Sequence, residues 1–370
     1  MISSSLTRRR LLSQRLLAPR FKTPADVVTW LAAVQAQDYA GAKWALGMRV
    51  PGSTDADVEE AFTGGAILRT HILRPTWHFI TPADIRWLLA LTAPRVHAAN
   101  ARIYRKYGLD TTIFRRSNAL LEQALQGGRY LTRDELRAIF ERRRIPTDEI
   151  RMVYLLMWAE LEGLICSGPR RGKQFTYALL DERVPATKAL ARDAALAELA
   201  RRFFTSRGPA MIHDFAKWAG LTLADGRRGV EAAGRALAEE AVDGTRYWFA
   251  PSTGRTPGDK KPTAHLISIF DEYISGYRDR SAIMSAARAS RLYRLGPAGI
   301  YIVVVNGVVV GHWARRFGKG TVRVRIQLYE RLGQAERRAV KASAEAFGAF
   351  MQMPVELEEV TGAGNLEGLP

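Results

Sequence analysis

The sequence holds one cysteine, Cys166, and only six histidines in 370 residues. A single thiol excludes an intrachain disulfide and any zinc site built from a cysteine cluster; it fits a reducing compartment, and Cys166 is expected as buried packing. The histidines are dispersed without partners at ligand spacing, so no metal site is expected. No apolar run approaches the roughly 20 residues needed to cross a bilayer. No glycine-rich phosphate loop or dinucleotide fingerprint follows a predicted strand, and no cofactor is expected. Negative charge is the other shortage: 37 Asp and Glu stand against 55 Lys and Arg, a formal net charge of +18. A field of that sign suits a polyanion. Nucleic acid ranks ahead of membrane lipid, because no polybasic segment sits beside an apolar anchor.

What is present can build a large core, since 47% of the chain is hydrophobic and the length allows two or three compact units. The opening "SLTRRRLLSQRLLAPR" looks faintly like a twin-arginine signal, but Gln14 and Arg15 interrupt the apolar segment such a signal needs. Leu11, Leu12, Leu16 and Leu17 recur instead at helical spacing, predicting a first amphipathic helix over residues 8–17.

Three stretches then repeat one plan of helix, turn, helix and a two-stranded segment with a polar tip, which is the winged-helix plan. The first covers residues 1–80, with helices near 24–34 and 55–63 and the strands of "ILRTHILRPTWHFI". Helical segments over 81–128 are expected to brace the units, Thr81-Pro82 opening them. The second unit spans 129–184: Thr132 and Glu135 form a capping box, Thr147 opens another helix, and "CSGPRRGKQFTYALL" supplies the wing. The third spans 185–252, with Gly220 at a helix-turn-helix corner and "GTRYWFAPS" as wing. After the linker-like "TGRTPGDKKP", residues 253–370 turn β-rich, with Asn306-Gly307 as a two-residue hairpin turn. The expected fold class is therefore α+β: three tandem winged-helix units and a small C-terminal β-rich domain.

Several basic positions suit DNA. Arg170, Arg171 and Lys173 lie at the second wing and Arg227 and Arg228 in the third unit's second helix, all placed to contact phosphate. In "GHWARRFGKG", His312 and Trp313 precede Arg315, Arg316 and Lys319, an aromatic beside cations as nucleic acid favours; Trp313 could equally plug the β domain. Arg69 and Arg74 flank His71 and His78 on the first hairpin, where His78 either contacts DNA or is a hydrogen-bonded structural histidine. Asp271, Glu272 and Asp279 of "FDEYISGYRDR" are either a second carboxylate source or a salt-bridge network with Arg278 and Arg280.

Three of these features in order carry a family resemblance: the triplet Gln35-Ala36-Gln37 in "AVQAQDYAG", "LRTHILRPTWHFITPADIRWLL" and "FDEYISGYRDR". Together they resemble the AlkZ-like winged-helix DNA glycosylases across nearly the whole chain. The resemblance implies a Gln-aliphatic-Gln catalytic motif at Gln35 and Gln37, three winged helices around a DNA channel, and removal of N7-alkylguanine and interstrand crosslinks. Where the family hairpin often reads Arg-Gly-Thr-Leu-His, this chain has Arg74-Pro75-Thr76-Trp77-His78, and Pro75 removes a backbone donor.

Amides can serve that chemistry, because an N7-alkylguanine already carries positive charge and leaves as a neutral base without a strong acid. Positioning water and stabilising an oxocarbenium-like sugar remain. Residues two apart point about 200° apart on a helix, so Gln35 and Gln37 converge only if the helix ends near them, with Asp38-Tyr39-Ala40-Gly41 expected as the turn. Asp38 either adds electrostatic stabilisation or caps the next element. The expected partner is double-stranded DNA with alkylated purines, bound by a cytoplasmic, nucleoid-associated monomer with no membrane or protein partner. The alternative is a non-catalytic winged-helix transcriptional regulator.

Overall fold

The structure, a computed structural model, describes residues 4–187, 189–251, 261–294 and 301–360. Helix α1 (Ser4–Ser13) precedes α2 (Pro24–Leu31), strand β1 (Val34–Gln35), α3 (Tyr39–Gly47), α4 (Asp55–Thr63) and the strands β2 (Leu68–His71) and β3 (Trp77–Ile80). Thr23 and Asp26 close a capping box at the start of α2, where Pro24 needs no amide hydrogen. The strands form one antiparallel sheet in the order β1-β3-β2.

The long α5 (Pro82–Lys106) follows, and the same order of elements then returns: α6 (Thr111–Leu125), β4 (Leu131–Thr132), α7 (Arg133–Arg142), α8 (Glu149–Leu161), β5 (Ile165–Ser167) and β6 (Thr176–Leu179), with the sheet again running β4-β6-β5. After the short α9 (Leu180–Arg183) it occurs once more in α10 (Arg192–Arg207), α11 (Ile212–Ala219), α12 (Leu223–Ala233), β7 (Ala238–Val242) and β8 (Thr245–Phe249). There a lone bridge from Ala210 to Trp248 stands where the first strand would be. Gly220 ends α11 at φ +66°, the left-handed cap that glycine adopts without strain.

The C-terminal part comprises β9 (Ala264–Ile267), α13 (Glu272–Ser275), α14 (Ala286–Arg294), β10 (Ile302–Val305), β11 (Val308–Phe317), β12 (Val322–Leu328), α15 (Gln334–Met351) and β13 (Val355–Glu359). Its five strands run β13-β12-β11-β10-β9. Asn306 and Gly307 turn β10 into β11 with φ of +50° and +83°, as a tight hairpin requires. The strands alternate faces, as their period of two dictates. Ile267, Ile302, Val304 and Val309 pack with Leu11 and Leu16, whereas Leu266, Val303, Val310 and Trp313 pack with Trp44 and Phe347. The α+β class thus holds, with a sheet covered on both sides.

Several expected boundaries shift. Helix α1 stops at Ser13; Arg15 takes φ +59° and the Leu16 amide turns back to the Leu11 carbonyl, so the leucines converge through a loop rather than a longer helix. Leu11, Leu16 and Leu17 cover the C-terminal sheet instead of the first unit. Helix α6, grouped with the braces by sequence, shares its core with the second repeat through Phe114, Leu121, Phe140 and Leu155. Bracing falls to α5, whose Leu88, Leu89 and Leu91 join Ile72 of the first hairpin to Leu199 and Phe203 of α10. Asp148, not Thr147, caps α8, and Thr147 bonds Glu141. Most of the expected linker, residues 252–260, lies outside the described residues. Cys166 is buried, and burial pushes its thiol up to about 12.

One buried ion pair ties the early and late chain together. Arg49, just past α3, donates to both carboxylate oxygens of Asp271 at 2.8 and 3.0 Å and spends its remaining donors on the Ala45 carbonyl and on Gln14. Both charged side chains are fully buried. Replacing one member of such a pair strands the other charge, so Asp271→Ala is expected to cost about 3–5 kcal/mol. The exposed pair of Arg323 with Glu356 should contribute no more than about 1 kcal/mol. Denaturant unfolding of Asp271→Ala beside Glu356→Ala checks this; equal losses would contradict the assignment.

Candidate active site

The glutamines do not sit at a helix end. Helix α2 closes at Leu31, Ala32 takes φ +63°, and the chain leaves as a strand. Residues 34–36 pair with β3: Gln35 lies opposite His78, and the Ala36 amide donates to the Trp77 carbonyl at 2.8 Å. In extended chain, side chains two apart share a face, so Gln35 and Gln37 converge because of the strand. The expected turn at Asp38-Tyr39-Ala40-Gly41 is instead the start of α3, with Asp38 at the N-cap position.

Each amide is turned by a neighbour that can only donate. Gln35 Oε1 accepts from Arg74 Nη2 at 3.0 Å, and Gln37 Oε1 accepts from the Trp77 amide at 3.3 Å. Arginine and backbone N–H have no lone pair to offer, so both carbonyl oxygens face the hairpin and both NH2 groups face away. Gln35 is buried at 8% exposure, and Gln37 is exposed.

Behind Gln35 lies a filled carboxylate. The Gln35 backbone N–H donates to Glu272 Oε1 at 3.1 Å, while Glu272 Oε2 accepts from Arg207 Nε and Nη2 at 3.0 and 2.7 Å and from the Trp218 indole at 2.8 Å. With Oε2 filled and its charge paired with Arg207, Glu272 fastens the strand. The network expected with Arg278 and Arg280 is thus built on Arg49 and Arg207. The Asp279 carboxylate accepts from the Ser281 amide.

Asp38 makes no capping bond. Its Oδ2 accepts from the Tyr301 hydroxyl, over whose ring Arg315 lies at 4.7 Å. Burial pushes the Tyr301 phenol up to about 12, so it remains a donor. A Cβ at Gly41 would come within 2.4 Å of this carboxylate, which explains the glycine.

The basic residues divide into buried and exposed. Arg69, expected on DNA, is buried between Trp77 and Phe175 at 4.2 and 4.5 Å and donates to the Ala36 carbonyl; burial pulls its pKa down to about 10. Arg74 turns inward to Gln35 and to the Trp218 carbonyl at 2.6 Å. His78 has no exposure, its Nδ1 donates to the Thr76 carbonyl, and desolvation followed by Arg74 holds its pKa well below the ordinary 6.5. It is a neutral structural histidine. His312 is buried against Tyr329, and Trp313 is a core plug donating to the Ile267 carbonyl. These burials correct the expectation that Arg69, His78, His312 and Trp313 face DNA. Arg170 is half-buried, pairing Glu59 and lying over Tyr39. Arg171, Lys173, Arg227, Arg228, Arg316 and Lys319 are exposed, with Arg171 paired to Glu135 and Arg228 to Asp193. Pro75 is exposed at the hairpin tip, and the Arg74 and Thr76 amides make the turn's bonds.

Glu272 was visible in the sequence only as one of three acids, and Arg207 and Trp218 carried no local signal; their roles arise from contacts across 54 to 237 residues. Among the described residues no three His, Cys, Asp or Glu side chains are grouped to hold a metal ion, and no helix is long and apolar enough to cross a membrane.

Comparison with known proteins shows the family and the fold. A relative from Streptomyces sahachiroi, named an interstrand DNA cross-link repair glycosylase, is 26% identical over 321 residues, covering 82% of this chain and 85% of its own. The solved Streptomyces sahachiroi DNA glycosylase AlkZ has the same fold, with a TM-score of 0.77 at 22% identity over 96% of this chain and 98% of that one. The family model described as DNA glycosylase AlkZ-like matches residues 28–350, from α2 to the end of α15. The chain belongs to the AlkZ-like family of DNA glycosylases, an enzyme family, which sets aside the non-catalytic regulator.

Proposed function

We propose that the protein hydrolyses the N-glycosidic bond of N7-alkylguanine in double-stranded DNA, bulky adducts and interstrand crosslinks included. The observation that carries this reading is the pair of oriented neutral amides on one strand face, with a carboxylate one residue on. The bond from the anomeric carbon to N9 breaks with its electrons passing to the cationic base, which leaves neutral. The oxocarbenium-like sugar then takes up water, whose proton is lost to solvent. No acid is required of the protein. Exposed Gln37 holds the water and sugar through its NH2 group and remaining carbonyl lone pair, Gln35 fixes the sugar's edge, and Asp38, held by Tyr301, sets negative charge beside the developing cation. The name of the Streptomyces relative supports the crosslink as a substrate. Repair of alkylation damage or resistance to a genotoxic metabolite would both use this reaction.

We place the DNA against the repeated helix and strand units, read as three winged helices in one monomeric chain working on the nucleoid. Lys173 and Arg227 are exposed and serve as phosphate contacts. A charge that releases a counterion lowers the salt slope of log Kobs by about 1 when removed.

With an oligonucleotide carrying one N7-alkylguanine, Gln35→Ala and Gln37→Ala are expected to slow single-turnover base release on the order of 10²-fold with DNA affinity retained. Wild-type release in both variants would sink the catalytic assignment. Because His78 is held neutral, the release rate should be level from about pH 6.5 to 8.5; a limb near 6.5 would mean that a histidine titrates in the reaction. Affinity of Lys173→Ala and Arg227→Ala measured against salt should give slopes shallower by about 1 each, and an unchanged slope would remove that residue from the interface.

A further inference from the structure

Arg74 is a surface-type residue in an inward position. It belongs to the tip between β2 and β3, yet its guanidinium reaches Gln35 Oε1 from Nη2 and the Trp218 carbonyl, at the end of α11, from Nη1. Trp218 is also bonded to Gln35 by a second route, since its indole donates to the carboxylate of Glu272 that receives the Gln35 amide. The contacts close a ring: Gln35 backbone, Glu272, Trp218, Arg74, Gln35 side chain.

The tip is pressed against the helix-turn-helix corner of the third repeat. A Cβ at Gly220 would lie 2.0 Å from the Leu73 carbonyl oxygen, and Leu73 takes φ +65°, a conformation that costs a leucine strain. The Gly220 carbonyl in turn accepts from Arg95 of α5. Glycine at 220 and the strained leucine bring Arg74 within reach of both acceptors.

We propose that Arg74 is a positioning residue for the reaction: it couples the α11–α12 corner to Gln35 and determines which edge of that amide meets the sugar. The inference rests on the reading of Gln35 as a catalytic group. A guanidinium suits the task because two separate nitrogens in a rigid fork serve two acceptors at once. A lysine keeps the charge but offers its donors from a single nitrogen, so it cannot hold Gln35 Oε1 and the Trp218 carbonyl in the same geometry. Released from Arg74, the Gln35 amide is able to rotate, and a misplacement of about 1 Å near the chemistry can cost on the order of 10²-fold in rate.

The test is a cycle of Arg74→Lys, Arg74→Gln, Gln35→Ala and the Arg74→Lys/Gln35→Ala double variant, each assayed for single-turnover base release at saturating DNA, for DNA affinity and for thermal melting. The expected result is a loss on the order of 10- to 10²-fold for Arg74→Lys in rate but not in affinity, with the double variant no slower than Gln35→Ala alone. Multiplying losses in the double variant, or a defect confined to affinity, would overturn the proposal and make Arg74 an independent group or a DNA contact. A wild-type rate in Arg74→Lys and Arg74→Gln would overturn it as well. If Arg74→Gln fails to fold, Arg74→Lys, which retains the charge, decides alone. If Gln35→Ala itself keeps the wild-type rate, the catalytic reading of Gln35 has failed and the proposal falls with it.

Discussion

The Glu272 carboxylate is the point from which the rest of the site hangs. A buried carboxylate is tolerated only with its charge matched and its lone pairs filled, and here the groups that fill it come from β1, α10 and α11. Satisfying one side chain therefore brings the first and third repeats to the start of the C-terminal part. Asp271, its neighbour, does the same for Arg49 and, through Arg49, for Gln14. Gln14 closes the circuit by donating to the Glu272 carbonyl. Two adjacent acids thus hold a strand of two residues where an isolated strand of that length could not persist.

That arrangement explains what could and could not be read from the chain. Local signals were legible: the Thr132 capping box, the Gly220 corner and the Asn306-Gly307 turn each depend on neighbours within a few residues, and each forms. The α+β class followed from them. The conformation at Gln35 was not legible, because β1 exists through pairing with β3 some 43 residues on, and helical periodicity upstream pulls the expected helix past its true end at Leu31. Helix α3 was hidden for a related reason: Asp-Tyr-Ala-Gly has turn composition, yet Gly41 is there to leave room for Asp38 inside a helix.

Charge misled in a different way. A net +18 makes every arginine on a hairpin look like a phosphate contact, but a guanidinium has five donors and can stitch backbone carbonyls together in a core. Arg69, Arg74 and Arg207 do this around the glutamines, and Arg49 does it beside Asp271. Aromatic rings cover two of these cations at 4.2 to 4.5 Å, Trp77 and Phe175 flanking Arg69 and Trp218 lying against Arg207. The excess of positive charge is therefore divided between an exposed set and an internal scaffold, and sequence contains no pattern that separates the two.

The long reach of Glu272 also orders events in time. A ribosome releases the chain from its N-terminus, so the first repeat, with both glutamines and the hairpin, emerges some 190 residues before the acid that fastens it. Until then Arg207 and Trp218 lack their buried partner, and the strand at Gln35 has only its pairing with β3. Domains formed early in synthesis ordinarily fold as units on their own. Here the helix and strand repeats can gather as they appear, whereas the strand that carries Gln35 is fastened only once residue 272 has been made, so an incomplete nascent chain presents its exposed cations before the proposed site is complete.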